Sequence, residues 1–323
     1  MSQELLTNSC MTEDHQLQEV FNLYITECKY IRQLRPQTIK SYCDVFQTFQ
    51  KIVPEATKVS EIHPHLLTEF FLRLGTRTRH VGEQTKVGVK ASTIRTYFSK
   101  LMSFFSWMEK KGYIDAGSMT TRATKPPTPT YDDDRALNKE EVSKLFAAIT
   151  LHSSDDAFVK SRDLAILSIL LHTGIRRGEL IGLRLQDIDF ESRTLFINGA
   201  TSKSKKNRTI PMHPVLYNHL RDYLSLRKKR DSLCSALIVS TKQDRAFTQH
   251  GLKHWVKRYK LLSGVNFHLH RCRHTFAVTL AKTQVDRFSI MKLLGHSSLK
   301  MTETYLRSIR EEDARGYIDK MSF

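Results

Sequence analysis

Residues 164–180 read LAILSILLHTGIRRGEL, and the two halves of this stretch ask for different surroundings. The first half, 164–171, is apolar on nearly every side of a helix and therefore reads as a helix buried all round. Directly behind it come Arg176, Arg177 and Glu179, a charged turn carried to the edge of that core. Downstream, 194–197 and 208–210 are short β-favouring runs separated by the basic, turn-prone 200–207, which predicts a hairpin with a positively charged tip. Further helical patterns follow to the C-terminus. Upstream, Asn138 can cap a helix while Glu141, three residues on, reaches back to it as in a capping box.

The N-terminal part is periodic in another way. Leu17, Val20, Phe21, Tyr24 and Ile25, then Ile39, Tyr42, Phe46 and Phe49, then Ile94, Tyr97, Phe98, Leu101, Phe105 and Met108 recur at helical intervals. A shorter run from Leu66 to Leu74 supplies another helix. Pro36 suits a first turn, Ser92 an N-cap, and Gly75 and Gly112 the ends of helices. The aromatic residues of these helices read as core packing. The segment 77–90, RTRHVGEQTKVGVK, is basic and aperiodic, so it is expected to be a loop whose Arg77, Arg79, Lys86 and Lys90 can lie on phosphates. Around Pro126, Pro127 and Pro129 the helical pattern lapses into an extended linker. The expected organisation is a tail at 1–13, a helical domain at 14–116, a linker at 117–136 and a second domain at 137–323. The fold class is mainly α with a small antiparallel β-sheet.

With 323 residues and 40% hydrophobic content the chain can build cores, which excludes collagen-like, mucin-like and wholly disordered classes. It holds 51 basic against 33 acidic residues, a formal charge of +18. Residues 1–116 contain 15 of the basic and 12 of the acidic groups, so nearly all the excess lies in 117–323. A polyanionic partner is the first expectation from such a balance. No stretch reaches the roughly 18 apolar residues of a membrane span, and a cytoplasmic protein is expected. The five cysteines, without CxxC spacing, suggest reduced thiols rather than a disulfide or zinc framework.

Breaking a phosphodiester without metal asks for donors to the non-bridging oxygens, a nucleophile, a base and an acid. Arginine serves the first task best, because its planar guanidinium grips phosphate oxygens in pairs. Four segments supply the other groups in order: 173–180 (TGIRRGEL), Lys203 within the basic hairpin, 270–274 (HRCRH), and 294–296 (LGH) followed nine residues after the histidine by Tyr305. Together they resemble the tyrosine recombinase (phage integrase) family, whose core runs Arg, Lys, His-x-x-Arg, His and Tyr in this order. The resemblance covers 137–310, and the helical N-terminal domain is similar to that family's core-binding domain in length and position.

The resemblance implies that Tyr305 is the nucleophile, that Arg176, Arg273 and His296 hold the scissile phosphate, that His270 is the base and that Lys203 is the acid. Lys205 and Lys206 lie close enough to Lys203 to compete for that role or to bind phosphate. Glu179 and His274 are expected in support. The chemistry the family carries out needs neither metal nor ATP, so no cofactor is expected; Arg271 stands where an HExxH zinc motif would have its glutamate. Ser202 and Ser204 flank the lysine where glycines are frequent, and Cys272 replaces a frequent leucine. Implied partners are a double-stranded DNA recombination site, three further copies of the chain in a tetramer on DNA, and accessory DNA-binding proteins, with the protein at the nucleoid. Residues after Tyr305 would pack on a neighbouring protomer. A type IB topoisomerase and a non-cleaving DNA-binding regulator are the alternatives.

Overall fold

The computed structural model describes residues 14–82, 84–127, 136–152, 156–201, 206–241, 244–283 and 285–306. The expected tail at 1–13 and the segment after Leu306 lie outside them. The chain divides into two compact units, Met1–Tyr131 and Asp132–Phe323.

Unit one is a bundle of α1 (Leu17–Tyr30), α2 (Pro36–Ile52), α3 (Pro64–Thr76) and α4 (Ala91–Lys111). Its aromatic residues, Tyr30 excepted, pack in or against the core, as their spacing predicts: Phe21 stacks on Phe46 with centroids 3.7 Å apart, and Phe104 packs edge-on against both. Pro36 opens α2 and Gly112 ends α4, whereas Gly75 lies inside α3. Ser92 is not the cap of α4 but its second residue; the helix starts at Ala91, with Lys90 in the capping position. The segment expected to be a loop forms a hairpin instead, β1 (Thr78–Val81) paired antiparallel with β2 (Gln84–Val87). Its strands carry no apolar face to betray them, and the backbone pairing holds them without one.

Unit two surrounds α6 (Ala157–Thr173), the helix that contains the apolar run 164–171. Ala165, Ile166, Leu167, Ile169 and Leu170 are all buried. Packed against α6 are α5 (Lys139–His152), α8 (Pro214–Lys228) and α10 (Leu269–Lys282). The capping box forms: Asn138 N donates to Glu141 and Glu141 N to the Asn138 side chain, at 3.0 and 2.8 Å. Between α7 (Arg177–Gly182) and α8 lies an antiparallel sheet of β3 (Ile188–Asp189), β4 (Thr194–Ile197) and β5 (Arg208–Pro211), in that order. β4 and β5 are the expected hairpin; its tip at 202–205 lies outside the described residues, and the two-residue strand β3 was not expected. The remaining helices are α9 (Gln249–Ser263), α11 (Arg287–Leu294) and α12 (Leu299–Leu306). Among the described residues no helix is long and apolar enough to cross a membrane.

Candidate active site

A cluster of guanidiniums collects around the C-terminal end of α11. Arg176 stands at the N-cap of α7, where its backbone N–H donates to Glu179 at 2.8 Å and its side chain meets the same carboxylate at 3.1 Å. Glu179 is wholly buried and shared: Arg208, at the start of β5, grips it with two N–H groups at 2.8 and 3.2 Å. Arg273, on α10, is 1% exposed. Its Nη1 donates to the Gly174 carbonyl at 2.7 Å, tying the end of α6 to α10.

Each arginine also reaches the carbonyls of the α11 terminus. Arg208 Nε donates to Leu293 O and Arg273 Nη2 to Leu294 O, both at 2.7 Å, and Arg176 Nη2 lies 3.4 Å from Gly295 O. Carbonyls left over at a helix end carry partial negative charge, so they favour cations there. Gly295 is at φ +63°, and a Cβ on it would come within 2.9 Å of the Arg208 guanidinium. The glycine of the LGH segment is thus required by both backbone and space.

His296 follows. Its Nε2 is 2.7 Å from Arg273 Nη2 and its Nδ1 2.8 Å from Thr302 Oγ1 on α12. Burial, then the charges of Arg273, Arg176, Arg208 and His270, push its pKa down from 6.5 to about 3. At neutral pH the ring is uncharged, and because a guanidinium only donates, Nε2 must be the accepting nitrogen. Among the described residues three guanidiniums stand against one carboxylate, Glu179, a surplus of positive charge in a largely water-excluded recess. Such a surplus fits an anion with several acceptor oxygens, above all a phosphate.

The structure thus brings together Arg176, Glu179, Arg273 and His296 from the expected set. It adds two residues that sequence reasoning missed, Arg208 and Thr302. The only sign of Arg208 was a cation at the start of a β-favouring run; Thr302 gave none. His270 is exposed on the first turn of α10, and its charge is felt at His296. His274, one turn on, is buried. Arg271 donates to Glu141 at 2.8 Å and so locks the start of α5 to α10. His268 caps α10, accepting from Arg271 N, and burial pushes the Cys272 thiol up to about 12. Among the described residues no three metal-ligating groups gather. Lys206 is exposed just before β5, while Lys203 and Lys205 lie outside the described residues. Tyr305 falls on α12, nine residues after His296, with its side chain outside the description. In unit one, Arg79 and Lys86 are cross-strand partners on the hairpin, Arg77 precedes it and Lys90 follows it.

The phage integrase family model matches residues 135–312, more than half of the chain and all of this cluster. The chain belongs to the phage integrase family. The tyrosine recombinase XerC of Thermodesulfovibrio yellowstonii is 29% identical over 281 residues, 83% of this chain and 84% of its own length. Among solved structures, XerH site-specific recombinase bound to palindromic difH substrate in a post-cleavage complex superposes with a TM-score of 0.66 at 20% identity. That likeness covers 90% of this chain and 82% of the other. A lambda integrase tetramer bound to a Holliday junction gives 0.65 at 18% identity, over 91% and 78%. The shared fold and family make this protein an enzyme of the tyrosine recombinase type.

Proposed function

We propose that this phage integrase family member cuts and rejoins DNA strands at specific sites through a 3′-phosphotyrosyl intermediate and a Holliday junction, with neither metal nor ATP. The observation that carries the proposal is the charge surplus at the end of α11, with Tyr305 on the next helix. A phosphodiester under attack develops a second negative charge, and the surplus of fixed positive charge matches it. In the absence of DNA the α11 carbonyls occupy the guanidinium N–H groups; the full charge of a phosphate draws those groups more strongly than carbonyl dipoles do. The same charge offsets the cations that hold His296 neutral, allowing its Nε2 to take a proton and donate it in a hydrogen bond to a phosphate oxygen.

Tyr305 would attack the phosphorus and release a 5′-hydroxyl. Exposing a phenolate at pH 7 costs about 4 kcal/mol, which the neighbouring cations and His270 as base reduce. Lys203 would protonate the departing oxygen, with Lys205 and Lys206 as its nearest substitutes. Because the phosphoester energy is kept in the protein–DNA bond, attack by another strand's hydroxyl rejoins the backbone. Exchange between two duplexes needs four such sites, so a tetramer on double-stranded DNA follows. The lambda integrase tetramer on its junction is in keeping with it. Accessory DNA-binding proteins are further candidate partners, and the nucleoid in the cytoplasm is the proposed place of action.

The test is covalent capture on a library of random-sequence duplexes carrying nicks. The wild type is expected to leave protein-linked DNA whose sequence identifies the site, and Tyr305→Phe to lose the link while binding the recovered duplex unchanged. Links formed equally by the Phe variant would reject the tyrosine. Two recovered sites placed on one plasmid should yield recombinant products; relaxed circles without recombinants would favour the topoisomerase reading. A 5′-sulfur leaving group, which needs no proton, should restore cleavage to Lys203→Ala and not to Arg273→Ala.

A further inference from the structure

We propose that Thr302 is a positioning residue of this site: its hydroxyl holds His296 as the Nδ1–H tautomer, with Nε2 turned to the arginine cluster. The inference rests on the recombinase reading above for its catalytic consequence, but its geometry stands apart from that reading. Thr302 has no exposed surface, and a buried hydroxyl is unfavourable unless hydrogen-bonded. Valine has nearly the same shape and would fill the space without that penalty. The hydroxyl is aimed at one thing, the His296 Nδ1 at 2.8 Å.

The direction of that hydrogen bond follows from the other side of the ring. Arg273 Nη2 sits 2.7 Å from Nε2 and has only protons to offer. Nε2 therefore accepts, the neutral ring carries its single proton on Nδ1, and Nδ1 donates to Thr302 Oγ1. Burial and the surrounding cations, which keep His296 from taking a second proton, are consistent with this tautomer.

Thr302 thus does for His296 what a carbonyl or carboxylate behind a ligating or catalytic histidine does elsewhere: it fixes the ring plane and decides which nitrogen faces the chemistry. It also lies three residues before Tyr305 on α12, about 4.5 Å along the helix axis. The chain of contacts Arg273–His296–Thr302 accordingly fastens the helix bearing Tyr305 to the cationic cluster at a point less than one turn from that residue.

The experiment compares wild type, Thr302→Val and Thr302→Ser in the full-length protein, with the nicked duplex recovered from the random library as probe. Thr302→Val should bind this duplex as the wild type does and form the covalent link about 10- to 100-fold more slowly, and Thr302→Ser should return it to near the wild-type rate. In ¹⁵N-histidine spectra of the DNA-free protein, the His296 Nδ1–H proton should be protected from exchange in the wild type and the Ser variant, and lose protection in the Val variant. Linking by Thr302→Val at the wild-type rate would overturn the proposal. So would a Ser variant as slow as Val with a native thermal melt, or a wild-type ring protonated on Nε2 instead. If the wild type itself captures no DNA, the recombinase reading fails, and the Nδ1–H signal still decides whether Thr302 holds the ring.

Discussion

The Glu179 side chain has no contact with solvent, yet among the described residues it is the only carboxylate set against the guanidiniums of Arg176 and Arg208. Removing its charge leaves those cations facing each other without compensation. Glu179→Gln, which keeps the shape, is therefore expected to cost about 3 kcal/mol in denaturant unfolding, well above a surface substitution. His296 makes the opposite demand, since it must stay neutral. Its folded pKa of about 3 lies below the ordinary 6.5, so the unfolded chain binds the extra proton first as the pH falls. Stability is complete above pH 6.5 and declines below it, by up to about 2 kcal/mol at pH 5. Burial of His172 and His219 gives slopes of the same sign, so the measurement is the difference between wild type and His296→Gln, whose pH dependence should be shallower. At this scale, ordered motifs pointed to Arg176, Glu179, Arg273 and His296. They said nothing of Arg208, because its partner Glu179 is 29 residues away and the pair exists only once β5 lies beside α7.

The helix ends decide the geometry at the scale of elements. Gly174 closes α6 at φ +59°, and a Cβ there would come within 2.5 Å of Phe276 and 3.1 Å of Leu294. Gly174→Ala is expected to lose about 2–4 kcal/mol, through backbone strain and overpacking combined, and to displace the carbonyl that Arg273 holds. Thermal or urea unfolding measures the loss. At the start of α5, Asn138→Ala removes one half of the capping box and should cost about 1 kcal/mol, while Glu141 keeps its ion pair with Arg271. The helices themselves were legible because their apolar periodicity is strong. The hairpin of β1 and β2 was not, since TRHV and QTKV show no alternation of apolar and polar residues. Nor was β3, whose two residues pair with β4 without any signal of their own.

Over the whole molecule, on the proposed reading, the basic excess of residues 117–323 would govern association with DNA. If six to ten phosphates are neutralised on binding, affinity should fall roughly 10³- to 10⁵-fold between 50 and 200 mM salt, as a titration of a labelled duplex will measure. Lys86→Glu and Lys206→Glu should flatten that dependence while leaving folding stability nearly unchanged, because both side chains are exposed. The sequence alone determined the helical character of both units, the buried centre of the second and four of the groups that meet at the α11 terminus, Arg176, Glu179, Arg273 and His296, since these follow from periodicity, composition and ordered motifs. Tertiary structure alone decided that Arg208 completes the cluster, that His296 faces Arg273 with its bare nitrogen, and that Thr302 stands behind it. Each of those facts is a distance between segments far apart in the chain or on separate helices. No spacing rule encodes such a distance; it is set only when the packed core brings the helix ends together.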